Sequence, residues 1–296
     1  MRKTSVYLPD RLKARLEAAA GASGRSEADL IRVAIEALLD AGGAADPRRP
    51  DGHRRRAERA AVVYGIGVGP GDAALLTVRA VETLRHADRV FAPCTSVDAV
   101  GRAEAIVRDA APDVPIERLV FVMQADGAAR DAAIEDAGRR VAECALAGEV
   151  VAFVTLGDPN VYSTFSSVAE VVARLAPTIP VRTIPGVMAF QDLAARAGTV
   201  LVDGDESLVL LPAAAGPEAR VDAAIEQDRQ AVVVYKGGRH VPEIAARLKE
   251  AGRLDDAVLG ELLGLPGERV TSVGAVADRP ASYLATIVVP PKRDEP

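Results

Sequence analysis

From residue 61 onward the hydrophobic positions come as short apolar runs, and between them lie longer segments with an apolar stripe at helical spacing. The runs at 61–66, 89–92, 150–156 and 181–184 predict strands, and the segments 75–87, 130–147, 164–175 and 189–197 predict amphipathic helices. A second series follows the Gly- and Asp-rich stretch 198–206, with strands near 208–211, 231–235, 257–262, 269–273 and 283–289 and a helix at 242–251. Strands alternating with helices predict an α/β fold with a mostly parallel sheet covered on both faces. Two such series predict two lobes, 60–202 and 203–296, and a cleft between them.

The first forty residues carry a different pattern. Thr4, Val6 and Leu8 alternate with Lys3, Ser5 and Tyr7, the period of a short strand with one buried face. Pro9 and Asp10 then open a helix striped by Leu12, Leu16 and Ala19, and a break is expected over 21–24, where Gly21 and Gly24 stand. Ser26 is placed to cap a second helix carrying Leu30, Ile31, Val33, Ala34, Ile35, Leu38 and Leu39. So small a unit cannot bury that much apolar surface alone. After it, AGGAADPRRPDGHRRRAER has Gly, Pro and charge but no apolar period, so residues 42–59 read as a flexible basic linker behind a domain of residues 1–41.

Strand, helix, helix at these lengths, with K-T-S-V-Y-L-P followed by S-E-A-D-L-I-R-V-A-I, resembles the ribbon-helix-helix family. The resemblance implies a homodimer with paired strands and interlocked helices. Lys3, Ser5 and Tyr7 would then face outward on a two-stranded ribbon that fits a DNA major groove. The first turn of the second helix would offer N–H groups to a phosphate, and Arg48, Arg49, Arg54, Arg55 and Arg56 would add salt-sensitive attraction. Assembly without DNA is the alternative role.

Charge sharpens the division. Residues 1–59 hold 13 Lys/Arg against 9 Asp/Glu, leaving 23 against 33 for residues 60–296, so a basic front precedes an acidic body. Aromatic residues make up 3% of the chain with no Trp, which argues against base-stacking platforms. Cys94 and Cys144 show no C-x-x-C spacing, and His53, His86 and His240 are scattered, so neither a disulfide framework nor a metal site is expected. No apolar leader and no run of about 18 apolar residues is present, so a cytoplasmic protein outside the membrane is expected.

Three loops at predicted strand ends carry the candidate chemistry. The first, G-I-G-V-G-P-G-D at 65–72, departs from a dinucleotide fingerprint because Pro70 takes the sixth position and the next strand ends in Phe91-Ala92-Pro93 without a ribose-binding acid. It lacks Gly-Lys-Ser/Thr as well, which removes a nucleotide-triphosphate reading. The second is T-L-G-D-P-N-V-Y-S-T at 155–164, and the third I-P-G-V-M-A-F at 184–190. Ligands of open α/β sheets sit beyond the carboxyl ends of strands, where all three should lie.

Together these motifs, with Q-D-L-A-A-R-A-G after the third, resemble the tetrapyrrole methylase family over roughly residues 62–290. L-G-D-P, Y-S-T-F and P-G-V at this separation are similar to the branch that methylates C(20) of precorrin-2 in cobalamin biosynthesis. The resemblance implies two α/β lobes clasping S-adenosyl-L-methionine, and a homodimer. By the resemblance Pro70 would line the cofactor site, Leu156, Gly157 and Asp158 would contact its methionine and ribose parts, and Val161 would pack nearby. Met188 and Ala189, with Lys236 and Leu263 from the second lobe, would complete it. Met188 replaces a hydroxyl residue, and Ala73 a proline, so the pattern is departed from at both positions.

In-line methyl transfer requires no metal and depends mainly on orientation. A tetrapyrrole with eight carboxylates needs cationic partners, for which Arg196, Lys236 and Arg239 are the candidates. The residue that receives the displaced proton is not legible. A cobalt-containing precorrin-2 is the alternative acceptor. A DNA-binding regulator whose methylase-like body senses a ligand is the alternative function.

Overall fold

A computed structural model describes residues 10–23, 25–31, 33, 60–121, 127–214, 216 and 219–293. Two compact units, Met1–Arg56 and Ala57–Pro296, divide the chain. The predicted strand at 4–8, with Lys3, Ser5 and Tyr7, the part of the second helix that carries Ala34, Ile35, Leu38 and Leu39, and the whole 42–59 linker lie outside the described residues.

In the first unit α1 (Asp10–Ser23) runs through Gly21 and ends at Ser23, inside the break expected over 21–24. A single exposed glycine costs a helix only about 1 kcal/mol, too little to end it. A second helix begins at Glu27, where Ser26 caps as expected, its Oγ accepting from the Asp29 amide at 3.1 Å. Lys13 pairs with both Glu17 (3.2 Å) and Glu27 (2.5 Å), tying the two helices.

The second unit starts with five parallel strands: β1 (Val62–Gly67), β2 (Arg89–Cys94), β3 (Glu117–Val120), β4 (Val150–Thr155) and β5 (Val181–Ile184). Their order is β3-β2-β4-β1-β5, which puts β4 and β1 inside the sheet. Every residue of β4 is buried, as an apolar run covered on both faces requires. Alternation sends Val63, Val151 and Phe153 to one face, against Phe165 and Val168, while Ile66, Ala152 and Val154 go to the other, against Leu84 and Ile106. Phe153 stands 6.2 Å from Phe121 and 5.8 Å from Phe165, a ring cluster at the centre of the first face.

The helices that cover this sheet are α2 (Val78–His86), α3 (Arg102–Ala110), α4 (Gly127–Leu146) and α5 (Thr164–Leu175). Thr77 caps α2 through its hydroxyl, so the helix predicted over 75–87 divides into a short 3-10 turn at Ala73–Leu75 and the α-helix proper.

A second sheet has the order β6-β7-β10-β8-β9, from β6 (Ser207–Pro212), β7 (Gln230–Tyr235), β8 (Val258–Glu261), β9 (Arg269–Ser272) and β10 (Thr286–Val289). Only β6 and β7 pair in parallel, and the other pairings are antiparallel. Helix α6 (Ala189–Ala197) follows the first sheet in sequence, yet it buries Phe190 and Leu193 against Val233 and Val288 of the second. It therefore carries the chain from one lobe to the other. Helices α7 (Ala219–Ile225) and α8 (Val241–Glu250) pack on the far face, with Ile225, Ile244 and Leu248 in the core. Among the described residues no helix is long and apolar enough to cross a membrane.

Candidate active site

The loops after β1, β4 and β5 leave three adjacent strands, so they emerge side by side. Hydrogen bonds stitch the first two: the Val68 amide donates to the Thr155 carbonyl at 3.0 Å and the Gly157 amide to the Gly69 carbonyl at 2.7 Å. Asp158 stitches the second to the third, one carboxylate oxygen accepting from the Asn160 amide (2.8 Å) and the other from the Gly186 amide (3.1 Å). With both oxygens engaged, Asp158 acts as a brace.

Glycine is required where these backbones meet. A Cβ on Gly67 would lie 2.5 Å from the Gly157 carbonyl oxygen, and one on Gly186 would collide with the same atom. Gly71 is pressed equally hard against the Leu263 carbonyl, which docks the loop after β8 onto the first lobe. Gly157 is of another kind: at φ +68° it has nothing within 4 Å of the missing Cβ, so it faces open space.

That space is a cavity of about 590 Å³. Pro70, Leu156, Gly157, Asp158, Val161, Met188, Ala189, Lys236 and Leu263, the residues expected to hold a cofactor, all line it. Of the three expected substrate cations only Lys236 does. Arg196 is turned to Asp192 (2.9 Å) and Glu268 (2.7 Å), an ion-pair network that occupies its guanidinium, and Arg239 lies in the short turn before α8, outside the lining. At Met188, which stands where the family has a hydroxyl residue, α6 has no side-chain cap, and the Gln191 side chain accepts from the Met188 amide at 2.9 Å, supplying the other half of a capping box.

Sequence reasoning passed over the other wall, formed by Pro93, Thr95, Val100, Arg102 and Phe121, and over Tyr162, Tyr235 and Leu262. The three non-glycine residues with positive φ among the described residues are Tyr162 (49°), Lys236 (60°) and Leu262 (51°), and all three line the cavity. Such backbone costs about 1–3 kcal/mol per residue and persists only where its surroundings enforce it. For Tyr162 they are visible: its hydroxyl donates to the Leu210 carbonyl at 3.0 Å, its ring meets Tyr235 at 5.9 Å, and the Lys236 ammonium lies 5.6 Å from its centroid.

Burial pushes the Lys236 ammonium below its ordinary pKa, and the charge of Arg130 adds to the effect. Tyr235 is pushed up to about 12, chiefly by burial, so it remains a neutral phenol. Beneath the second wall, Glu104 is fully buried. Burial raises its pKa, but hydrogen bonds from Arg118 and Arg108 outweigh that and hold it below the usual carboxylate range. Arg118 reaches Glu104 at 2.6 Å and donates to the Val97 carbonyl at 2.6 Å, fixing the loop between β2 and α3.

Comparison with known proteins places this geometry. The model of the Tetrapyrrole (Corrin/Porphyrin) Methylases matches residues 62–277, and that of ribbon-helix-helix proteins of the copG family matches residues 2–41. A precorrin-2 C(20)-methyltransferase of Sinorhizobium is 33% identical over 79% of this chain and 97% of its own length. A cobalt-precorrin-2 C(20)-methyltransferase of Salmonella typhimurium is 33% identical over 77% of this chain and 95% of its own. The crystal structure of a cobalt precorrin-4 methyltransferase shares the fold, with a TM-score of 0.57 and 20% identity over 77% of this chain and 94% of its own. The chain belongs to the tetrapyrrole methylase family.

Proposed function

We propose that this protein transfers a methyl group from S-adenosyl-L-methionine to C(20) of precorrin-2, the step of cobalamin biosynthesis that gives precorrin-3A. The observation that carries the reading is the convergence of three strand-end loops on one cavity. Gly157 supplies the fit: with no Cβ and open space in front, it lets a ligand approach the Gly69–Gly157 backbone pairing closely. Pro70, Leu156, Val161, Met188, Ala189 and Leu263 would hold the methyl donor through backbone and apolar contacts, and Asp158 would keep the loops in register. When bound, the donor supplies an electrophilic methyl on a sulfonium. The protein's part is orientation and exclusion of water, and a fixed near-attack geometry accounts for the larger share of acceleration in such transfers. Lys236, with no carboxylate partner among the described residues, would meet an acceptor carboxylate.

Incubation with S-adenosyl-L-methionine and either precorrin-2 or its cobalt complex is the test. Methylation of the metal-free compound at C(20) is expected. Preference for the cobalt complex would move the reading to the alternative that the Salmonella relative represents, and binding without turnover on either would favour a ligand sensor.

The match of residues 2–41 supports a second role at the other end of the chain: dimerisation and DNA binding through Lys3, Ser5 and Tyr7. Full-length protein is expected to sediment as a dimer and to retard DNA from its own operon at low salt, with Lys3→Ala weakening the complex. Release by a few hundred millimolar salt is expected too, because phosphate contacts dominate such binding. A dimer indifferent to DNA at every salt concentration would leave assembly as the module's only role.

A further inference from the structure

Resting on the methyltransferase reading above, we propose that Arg102 binds a carboxylate of the tetrapyrrole, from the wall of the cavity opposite Lys236's lobe. The cavity sits in an acidic body: residues 60–296 hold 23 Lys/Arg against 33 Asp/Glu. A polyanion approaching that surface is repelled unless the site itself is of the other sign. The lining has that sign. Among the described residues its charged side chains are Arg102, Lys236 and Asp158, and both oxygens of Asp158 accept backbone amides.

Arg102 is held without being neutralised. It is the first residue of α3, and the capping Gly101 is pressed so closely on the Pro93 carbonyl that a Cβ there would collide with it. The start of the helix is therefore pinned to the end of β2. The acid nearest in sequence, Glu104, is engaged elsewhere: Arg118 takes its two oxygens at 2.6 and 2.9 Å, and Arg108 shares one of them at 2.8 Å. No other carboxylate pairs with Arg102 among the described residues, whereas Arg196, the arginine that the sequence favoured for this role, spends its charge on Asp192 and Glu268. Arg102 and Lys236 thus present cations from the first and second lobes to one space, which suits a ring bearing carboxylates around its whole edge. A planar guanidinium also matches a carboxylate in a two-pronged contact, as an ammonium cannot.

Steady-state kinetics on the full-length enzyme, with S-adenosyl-L-methionine affinity measured separately by calorimetry, test the assignment. Arg102→Ala is expected to raise KM for the tetrapyrrole about ten- to a hundredfold, the range for one charge-assisted hydrogen-bonded contact, with the affinity for S-adenosyl-L-methionine unchanged. Arg102→Lys should recover part of the loss, and Arg79→Ala, which removes an exposed charge from α2 away from the cavity, should stay within twofold of wild type. Wild-type turnover with an unchanged KM in Arg102→Ala would overturn the role of Arg102 alone. Wild-type protein that methylates neither precorrin-2 nor its cobalt complex would overturn the reading on which it rests.

Discussion

Gly157→Trp should weaken S-adenosyl-L-methionine binding by at least a hundredfold, about 2.7 kcal/mol, and abolish methyl transfer. Two effects combine at this position. The backbone at φ +68° lies in the left-handed region, which costs a residue with a Cβ about 1–2 kcal/mol. The added side chain then has one place to go, because no neighbouring atom lies within 4 Å of the Cβ position and the residue lines the cavity. An indole there fills the space in front of the Gly69–Gly157 pairing rather than displacing core atoms. Gly157→Ala separates the two contributions, since it carries the backbone strain with little bulk and should lose far less affinity than Trp. Titration calorimetry on both variants, with thermal melts to confirm folding, reads the result. Full affinity in Gly157→Trp would place the methyl donor somewhere other than these loops.

The same residue shows why the sequence was readable here. Gly67, Gly157 and Gly186 fall at the ends of three strands, two of them strongly apolar, and the parallel sheet inferred from the strands puts their ends on one edge, so the loops had to converge. Buried runs such as V-V-A-F-V-T in β4 fixed the elements because burial on both faces leaves no other use for them. Helices α3 and α7 and strand β3 escaped notice: Gly101 offers α3 no side-chain cap, and α7 and β3 span only seven and four residues. Missing α3 meant missing Arg102 and the wall around it. Tyr162, Lys236 and Leu262 were hidden for a further reason, since their left-handed backbone has no local signature and the contacts that hold Tyr162 come from the other lobe. Pattern also favoured Arg196 over Arg102, because an arginine beside a binding motif looks available until its partners on α6 and in the loop before β9 are seen.

Arg253→Met should destabilise the second unit by about 3–5 kcal/mol, because several carbonyls inside the fold lose their donor at about 1–3 kcal/mol each. A buried arginine without a carboxylate partner among the described residues reads at first as a defect. Its side chain is 1% exposed, and burial lowers its pKa against the weaker opposing influence of Asp228 and Asp256. The guanidinium nonetheless donates to four carbonyls: Ile225 (2.8 Å), Gln227 (3.2 Å), Gln230 (2.7 Å) and Pro290 (2.6 Å). These belong to the end of α7, the turn after it, the start of β7 and the residue following β10, so one side chain closes the sheet at the end away from the cavity. Methionine fills comparable volume and removes the cost of burying a charge, but the carbonyls of Ile225, Gln230 and Pro290 lose this donor, at a cost of about 1–3 kcal/mol for each that water cannot reach, while Gln227 keeps the Gln230 amide. Arg253→Lys should recover only part of the loss, since an ammonium has three donors on a single atom and cannot span two pairs of acceptors. The urea midpoint should fall for both variants, further for Met, and amide exchange should quicken first in β7 and β10. A loss below 1 kcal/mol in Arg253→Met would mean that water reaches these carbonyls and the guanidinium is dispensable to the sheet.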